Sequence, residues 1–215
     1  MSHRFGLVVF DLGSVLVQAT RTWVESAERI GLPLPPMGVD AFESRLAAFP
    51  RRSTGAIDSE RYFPLFAEAS DGTYTPDDAR RISNASLIAE YPGISRIFDA
   101  LDSAGVEAAV LSNSNDAEWP RLFPETSVEP EFPTMLRARY RFGSHLMGVL
   151  KPDQQAYREV ERGTGYSGDR ILFFDDREEN VEAARLFGWT AEFVDYTGDT
   201  AAQILDLLRK HRVTG

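Results

Sequence analysis

Near its amino end the sequence reads Phe5-Gly6-Leu7-Val8-Val9-Phe10-Asp11-Leu12-Gly13-Ser14-Val15-Leu16-Val17, an apolar run that stops at a carboxylate. Such a short apolar run without alternation predicts a strand buried on both faces, as in a parallel α/β sheet. Asp11 then lies at the carboxyl end of that strand, where open α/β sheets bind their ligands. An isolated aspartate after a strand is also typical of a turn or a helix cap, so the other strand ends must decide its role.

Apolar and amphipathic segments alternate along the second half of the chain. Further buried strands are predicted at 106–111, 139–142, 170–174 and 190–194. Amphipathic helices are predicted at 94–104, 154–162, 178–187 and 201–212. Strands that alternate with helices predict a Rossmann-like α/β core, with a parallel five-stranded sheet flanked by helices.

Residues 18–90 differ from what flanks them, because they show helical patterns and no convincing strand. Apolar residues recur at helical spacing over 22–30, 39–49 and 58–69, and Thr75-Pro76 is typical of a helix start. We therefore predict an α/β core domain formed by 1–17 and 91–215 and a small all-helical cap domain, 18–90, inserted after the first strand. Arg51-Arg52 is interpreted as a solvated loop, with attraction of an anionic substrate as the alternative.

Composition excludes several classes of function. The 215 residues include 23 basic and 33 acidic side chains, a net charge of −10, and no basic block, so neither nucleic acid nor an anionic membrane is an expected partner. The absence of cysteine excludes thiolate catalysis, and the three scattered histidines form no zinc pattern. No signal-peptide or membrane-spanning pattern occurs, which predicts a cytoplasmic protein. The sequence leaves the oligomeric state unknown.

Polar residues stand at several predicted strand ends or in the loops beside them, namely Asp11, Ser112, Lys151 and Asp175-Asp176. Carboxylates that face one another repel unless a cation lies between them, and oxygen ligands suit a hard ion such as Mg²⁺. A hydroxyl, backbone amides and a lysine beside that ion would neutralise a phosphoryl group. The pattern predicts phosphoryl chemistry on a small phosphorylated substrate.

These residues resemble the four ordered motifs of the haloacid dehalogenase-like (HAD) hydrolase superfamily. The matching segments are 10–16, 111–115, 151–153 and 173–176 together with Asn180, so the resemblance spans nearly the whole chain. The Asp-Leu-Gly and Ser-Asn-Ser-Asn forms are similar to a helical-cap branch that includes alpha-D-glucose-1-phosphate phosphatases and the amino-terminal phosphatase domain of soluble epoxide hydrolases. The resemblance implies a Mg²⁺-dependent phosphatase of a small metabolite, with sugar phosphates among the candidates.

The same resemblance implies a role for each matching residue. Asp11 would be the nucleophile that forms an aspartyl-phosphate. Ser112 and Lys151 would act in catalysis, and the phosphoryl group would be bound by Ser112, Lys151 and the backbone amide of Asn113. The implied Mg²⁺ ligands are Asp11, Asp176 and the backbone carbonyl of Gly13, with Asp175 and Asn180 orienting the ion and its waters.

Gly13 departs from the wider pattern. Most phosphatases of the superfamily carry there a second aspartate that protonates the leaving group, although the resembling glucose-1-phosphate branch also has glycine. Two alternatives stay open: a metal-independent 2-haloacid dehalogenase, against which Asp175-Asp176 argues, and a non-catalytic HAD-like protein that binds a ligand or partner. Neither the substrate nor the cap residues that set specificity follow from the sequence.

Overall fold

A five-stranded parallel sheet forms the centre of the protein, in a computed structural model that describes residues 4–46, 49–125 and 128–214. The strands of the described ranges are β1 Leu7–Phe10, β2 Val17–Ala19, β3 Leu87–Glu90, β4 Glu107–Ser112, β5 Tyr140–Gly143, β6 Ile171–Asp175 and β7 Thr190–Phe193. The order in the main sheet is β5-β4-β1-β6-β7, and each neighbouring pair is parallel. The predicted Rossmann-like sheet is confirmed.

The central strand β1 is buried on both of its faces. Val8 and Phe10 belong to the hydrophobic cluster on one side of the sheet, while Leu7 and Val9 belong to the cluster on the other side. All four side chains are fully buried. Because successive side chains of a strand point to opposite faces, a central strand covered by helices on both sides needs apolar residues at every position.

Helices cover both faces of this sheet. Within the described ranges the α-helices are α1 Trp23–Arg29, α2 Val39–Arg45, α3 Phe49–Ser53, α4 Ser59–Ala69, α5 Pro76–Asn84, α6 Ile94–Ala104, α7 Trp119–Leu122, α8 Ser144–Met147, α9 Gln154–Thr164, α10 Glu178–Phe187 and α11 Thr200–Lys210. Helices α6 and α11 pack on one face, and α9 and α10 pack on the other. In the described part of the chain, no helix has the length and apolar character needed to cross a membrane.

Helices α1 to α5 lie between β2 and β3, and α1, α2, α4 and α5 share a hydrophobic cluster of their own. Phe42, Phe63 and Phe66 are buried in that cluster. Helix α5 begins at the predicted position, where the Thr75 hydroxyl accepts a bond from the Asp78 amide and the Asp78 carboxylate accepts one from the Thr75 amide. Two orphan amides of the helix start are thereby satisfied.

The prediction that residues 18–90 contain no strand is wrong at the ends of that segment. β2 and β3 pair antiparallel, with Gln18 opposite Ala89, and a bulge follows at Ala19. Two strands of three and four residues carry too few positions for a period-two pattern to be recognised. Their pairing brings the end of the helical segment back beside its beginning.

Candidate active site

Three neighbouring strands of the sheet end in polar residues at one edge. Phe10 of β1 lies opposite Val110 of β4 on one side and opposite Phe174 of β6 on the other. The Asp11 amide donates to the Phe174 carbonyl at 2.9 Å, so the register continues one residue past the strand. Asp11 therefore lies beside Asp175, and Ser112, only 7% exposed, ends the strand on the other side.

Asp11, Asp175 and Asp176 form a buried acidic cluster. One carboxylate oxygen of each lies within 4.8 Å of the other two. Burial raises the pKa of Asp11 to about 6, and the negative charges of Asp175 and Asp176 also raise it. The positive charge of Lys151 lowers it but does not outweigh them. Such crowding of negative charge calls for a cation, and an all-oxygen donor set suits a hard divalent ion.

Lys151 contacts two of these carboxylates. Its Nζ lies 2.9 Å from Asp11 Oδ1 and 2.6 Å from Asp175 Oδ2. Burial favours the neutral amine, but the two carboxylates outweigh it and raise the pKa of Lys151, so the ammonium stays charged. Asn113 holds the Lys151 backbone, because its side-chain amide donates to the Lys151 carbonyl and accepts from the Lys151 amide, both at 2.9 Å. The loop that carries Lys151 is thus attached to the end of β4.

Asp175 is saturated with hydrogen bonds from the protein. Its Oδ1 accepts from the Arg177 amide at 2.9 Å and from Asn180 Nδ2 at 3.0 Å, while Oδ2 accepts from Lys151 Nζ. Asn180 lies in the first turn of α10 and is 2% exposed. Asp175 therefore retains less capacity to ligate a metal ion than Asp176, which does not take part in this network.

Asp176 pairs instead with Arg21, a residue that the sequence analysis did not identify. Arg21 Nη1 donates to Asp176 Oδ2, and the guanidinium lies over the Tyr196 ring at 4.4 Å from its centroid. A single arginine ahead of α1 has no local pattern that marks it. The contact joins residues 155 positions apart, so only the folded chain reveals it.

The backbone at Gly13 does not require glycine. A Cβ added there would have the Cβ of Ala19 as its nearest neighbour, at 3.7 Å, which is ordinary van der Waals contact. The left-handed residue of this turn is Ser14, with a φ of 62°. The turn itself is held by the amides of Leu16 and Val17, which both donate to the Leu12 carbonyl.

A cavity of about 640 Å³ adjoins the acidic cluster. Arg21 and Asn113 line it, and they contact Asp176 and Lys151 respectively, although Asp11 itself is not part of the wall. The rest of the wall comes mainly from the helices between β2 and β3 and from the loop after β4. The cavity therefore adjoins the acidic cluster through Arg21 and Asn113.

Arg52 also lines this cavity. The interpretation of Arg51-Arg52 as a solvated loop is wrong, because both residues are helical and only Arg51 is solvated. Both lie in α3, where Arg51 is exposed and Arg52 is 5% exposed. The guanidinium of Arg52 lies over the rings of Tyr62 and Phe63, which draw it inward. Sequence reasoning had no means of telling which of two adjacent arginines faces the interior.

The sequence profile of the haloacid dehalogenase-like hydrolases matches residues 5–188, and the chain belongs to this family.

Its relatives include named phosphatases. A phosphatase of Mycobacterium tuberculosis is 28% identical over 204 residues, which cover 90% of this chain and 88% of the relative. A phosphoglycolate phosphatase of Pseudomonas putida is 28% identical over 189 residues, or 85% of this chain and 66% of the relative. A HAD family enzyme of Bacteroides thetaiotaomicron, solved in complex with magnesium and inorganic phosphate, superimposes with a TM-score of 0.75 at 18% identity, covering 93% of this chain and 98% of that one. The chain is a phosphatase-like hydrolase of the family.

Proposed function

We propose that the protein is a Mg²⁺-dependent phosphatase that hydrolyses a small phosphorylated metabolite through an aspartyl-phosphate on Asp11. The observation that carries the proposal is the buried contact of 2.9 Å between Asp11 and Lys151 beside Asp175 and Asp176. A nucleophilic carboxylate, a fixed cation and free carboxylate oxygens for a metal are the groups that phosphoryl transfer needs. The phosphatase names of the relatives and the magnesium and phosphate of the structural neighbour support it.

The donor set supports binding of Mg²⁺. The ion would be held by Asp11, Asp176 and the backbone carbonyl of Gly13. It and its waters would be oriented by Asp175 and Asn180, which would not themselves contact the ion. When bound, the ion would neutralise negative charge on the phosphoryl oxygens. The saturation of Asp175 by Lys151, Arg177 and Asn180 is consistent with this division of roles.

In the proposed reaction an Asp11 oxygen attacks phosphorus, and the bond between phosphorus and the ester oxygen breaks. Water then attacks the phosphorus of the aspartyl-phosphate, which releases inorganic phosphate and restores the carboxylate. Lys151 keeps Asp11 ionised and faces the charge that develops on the phosphoryl oxygens. The Ser112 hydroxyl and the Asn113 backbone amide would donate hydrogen bonds to those oxygens.

We further propose that residues 18–90 act as a cap domain over a core of 1–17 and 91–215. The separate hydrophobic cluster of α1, α2, α4 and α5 and the connection of this segment to the core through β2 and β3 support this assignment. The cavity beneath these helices would exclude water from the reacting groups and select the leaving group.

The test is a phosphate-release screen over sugar phosphates, nucleotides and aryl phosphates, with Mg²⁺ and with chelator. We expect multiple turnover on at least one ester, loss of turnover with chelator, and no turnover by Asp11→Asn, whose amide is not a nucleophile. Thermal unfolding monitored by circular dichroism shows whether that variant is folded. Parent-like activity of Asp11→Asn refutes the assignment, and chelator-resistant chloride release from a 2-haloacid favours a dehalogenase.

A further inference from the structure

A charged side chain lies buried in the cavity wall without a carboxylate beside it. Arg52 is 5% exposed, and no carboxylate of the described residues lies within 4.0 Å of its guanidinium nitrogens. Burying a charge is costly unless it is paired and hydrogen-bonded. The positive charge of Arg52 is therefore not balanced by a direct ion pair with a described residue.

The hydrogen bonds of Arg52 are all made to neutral oxygens. Nε donates to Ser59 Oγ at 2.9 Å, and Nη2 donates to Ser83 Oγ at 2.8 Å and to Asn115 Oδ1 at 2.9 Å. The Tyr62 hydroxyl, also neutral, interacts with the same guanidinium. Groups from α4, α5 and the loop after β4 thus fix the guanidinium in the cavity wall.

Two carboxylates act on Arg52 without pairing with it directly, and one of them, Asp116, is linked to it through the Ser59 hydroxyl that accepts from Arg52 Nε. Asp116 accepts bonds from both the amide and the hydroxyl of Ser59, and Glu118 accepts one from the hydroxyl of Ser86. Burial lowers the pKa of Arg52, while Glu118, Tyr62 and Asp116 oppose it. An arginine keeps its proton even so, and therefore Arg52 contributes a fixed positive charge to a wall that also includes Glu43 and Glu118.

We propose that Arg52 binds a second anionic group of the substrate, so that the substrate is a phosphate monoester whose leaving group carries a carboxylate or phosphate on an apolar body. This inference rests on the proposed phosphatase function. Trp23, Tyr62, Phe66 and Ile82 line the same cavity and fit the apolar body. The planar donors of arginine suit carboxylate and phosphate oxygens.

The experiment compares matched substrates. The phosphate ester of 3-(4-hydroxyphenyl)propionate and its neutral N-methyl amide share an aryl leaving group and differ in one negative charge. Homologues with one and three methylene groups vary the reach, and a non-hydrolysable phosphonate in place of the carboxylate distinguishes the two kinds of anion. We expect kcat/KM for the best anionic member to exceed that for its neutral partner by roughly 10- to 100-fold, as for a charged hydrogen bond, mainly through KM.

Substitutions of Arg52 test whether this residue causes the preference for the anionic substrate. Arg52→Met should bring the ratio of anionic to neutral kcat/KM close to one, and Arg52→Lys, which keeps the charge but not the planar donors, should give an intermediate ratio. The matched control is Arg51→Met, which removes the same charge from an exposed position of the same helix and should leave the ratio unchanged. If Arg52→Met does not fold, a ratio in Arg52→Lys equal to that of the parent overturns the proposal.

The outcomes separate this inference from the proposed function. Turnover of the neutral esters with no preference for any anionic member overturns the role of Arg52 and leaves the phosphatase assignment in place. An equal fall on both members in Arg52→Met also overturns it, because a merely structural arginine would act in that way. Absence of turnover on any phosphomonoester refutes the phosphatase and, with it, this inference.

Discussion

Gly13→Asp would place a carboxylic acid two residues after Asp11, where most phosphatases of the superfamily carry one. The turn has room for it, since the nearest atom to a new Cβ is the Cβ of Ala19 at 3.7 Å. The left-handed conformation falls on Ser14, so the new side chain meets no backbone strain at position 13. We expect the variant to fold with the turn unchanged.

The magnitudes of the two effects of Gly13→Asp differ. A new carboxylate beside the acidic cluster is repelled by it, and a pair of like charges about 4 Å apart costs about 1 kcal/mol in water and about 4 kcal/mol at an effective dielectric constant of 20. Replacing glycine recovers about 0.4–1 kcal/mol by restricting the unfolded chain. The catalytic gain is larger, because a positioned general acid accelerates proton-requiring steps by about 10²- to 10⁴-fold, or roughly 3–5 kcal/mol.

The assay is a plot of log kcat/KM against the pKa of the leaving group, from aryl phosphates to glycerol phosphate. Without a general acid at position 13 the parent should depend steeply on leaving-group acidity, so that aryl and anomeric sugar phosphates react faster than alkyl phosphates. Gly13→Asp should flatten the plot by accelerating the poor leaving groups. Gly13→Asn has nearly the same size and no acidic proton, and it should keep the steep slope.

Two results would refute this reasoning. A shallow slope in the parent would mean that another group, such as a cap side chain or a bound water, already protonates the leaving oxygen. An equal flattening by Gly13→Asn would attribute the effect to the size of the side chain instead of its proton.

Two further substitutions test the metal site and the contact between helices and core. Asp176→Ala should raise the Mg²⁺ concentration for half-maximal activity by roughly tenfold or more, since one of few carboxylates on a hard cation is lost; an unchanged titration would move that role to Asp175. Asp116→Asn weakens the hydrogen bonds from Ser59 and should lower the free energy of unfolding at pH 7 by about 1 kcal/mol, a value that allows for the partial exposure of Asp116 and is measured by urea titration. Burial opposes ionisation of Asp116, but the hydrogen bonds from Ser59 outweigh burial and lower the pKa of Asp116 below its ordinary value of 3.8. The stabilisation is therefore complete above that ordinary pKa and is lost as the pH falls through the lower pKa of the folded state. The difference between parent and variant should therefore shrink below about pH 4, and a difference independent of pH would contradict the assignment.

Local pattern and topology were sufficient to predict the core and the meeting of its strand ends. Gly105 directly follows α6 and Gly188 directly follows α10, both in the left-handed conformation, as expected of glycine after a helix. The adjacency of Asp11 and Asp175 followed from the rule that the carboxyl ends of parallel strands share one edge. Each of these features depends on residues close in sequence or on a general rule of sheet connection, which a single sequence already contains.

The tertiary structure alone decided the cavity and the positions of its cations. Arg21 donates a hydrogen bond to Asp176, which is 155 positions away in sequence, and Arg52 donates one to Asn115, which is 63 positions away. An arginine in a polar segment looks the same whether it is solvated, as Arg51 is, or buried, as Arg52 is, because the difference depends on which helix face the aromatic rings of α4 cover. The physical reason is that burial and long-range hydrogen bonding are properties of packed surfaces, and packing joins residues whose sequence separation leaves no local signal.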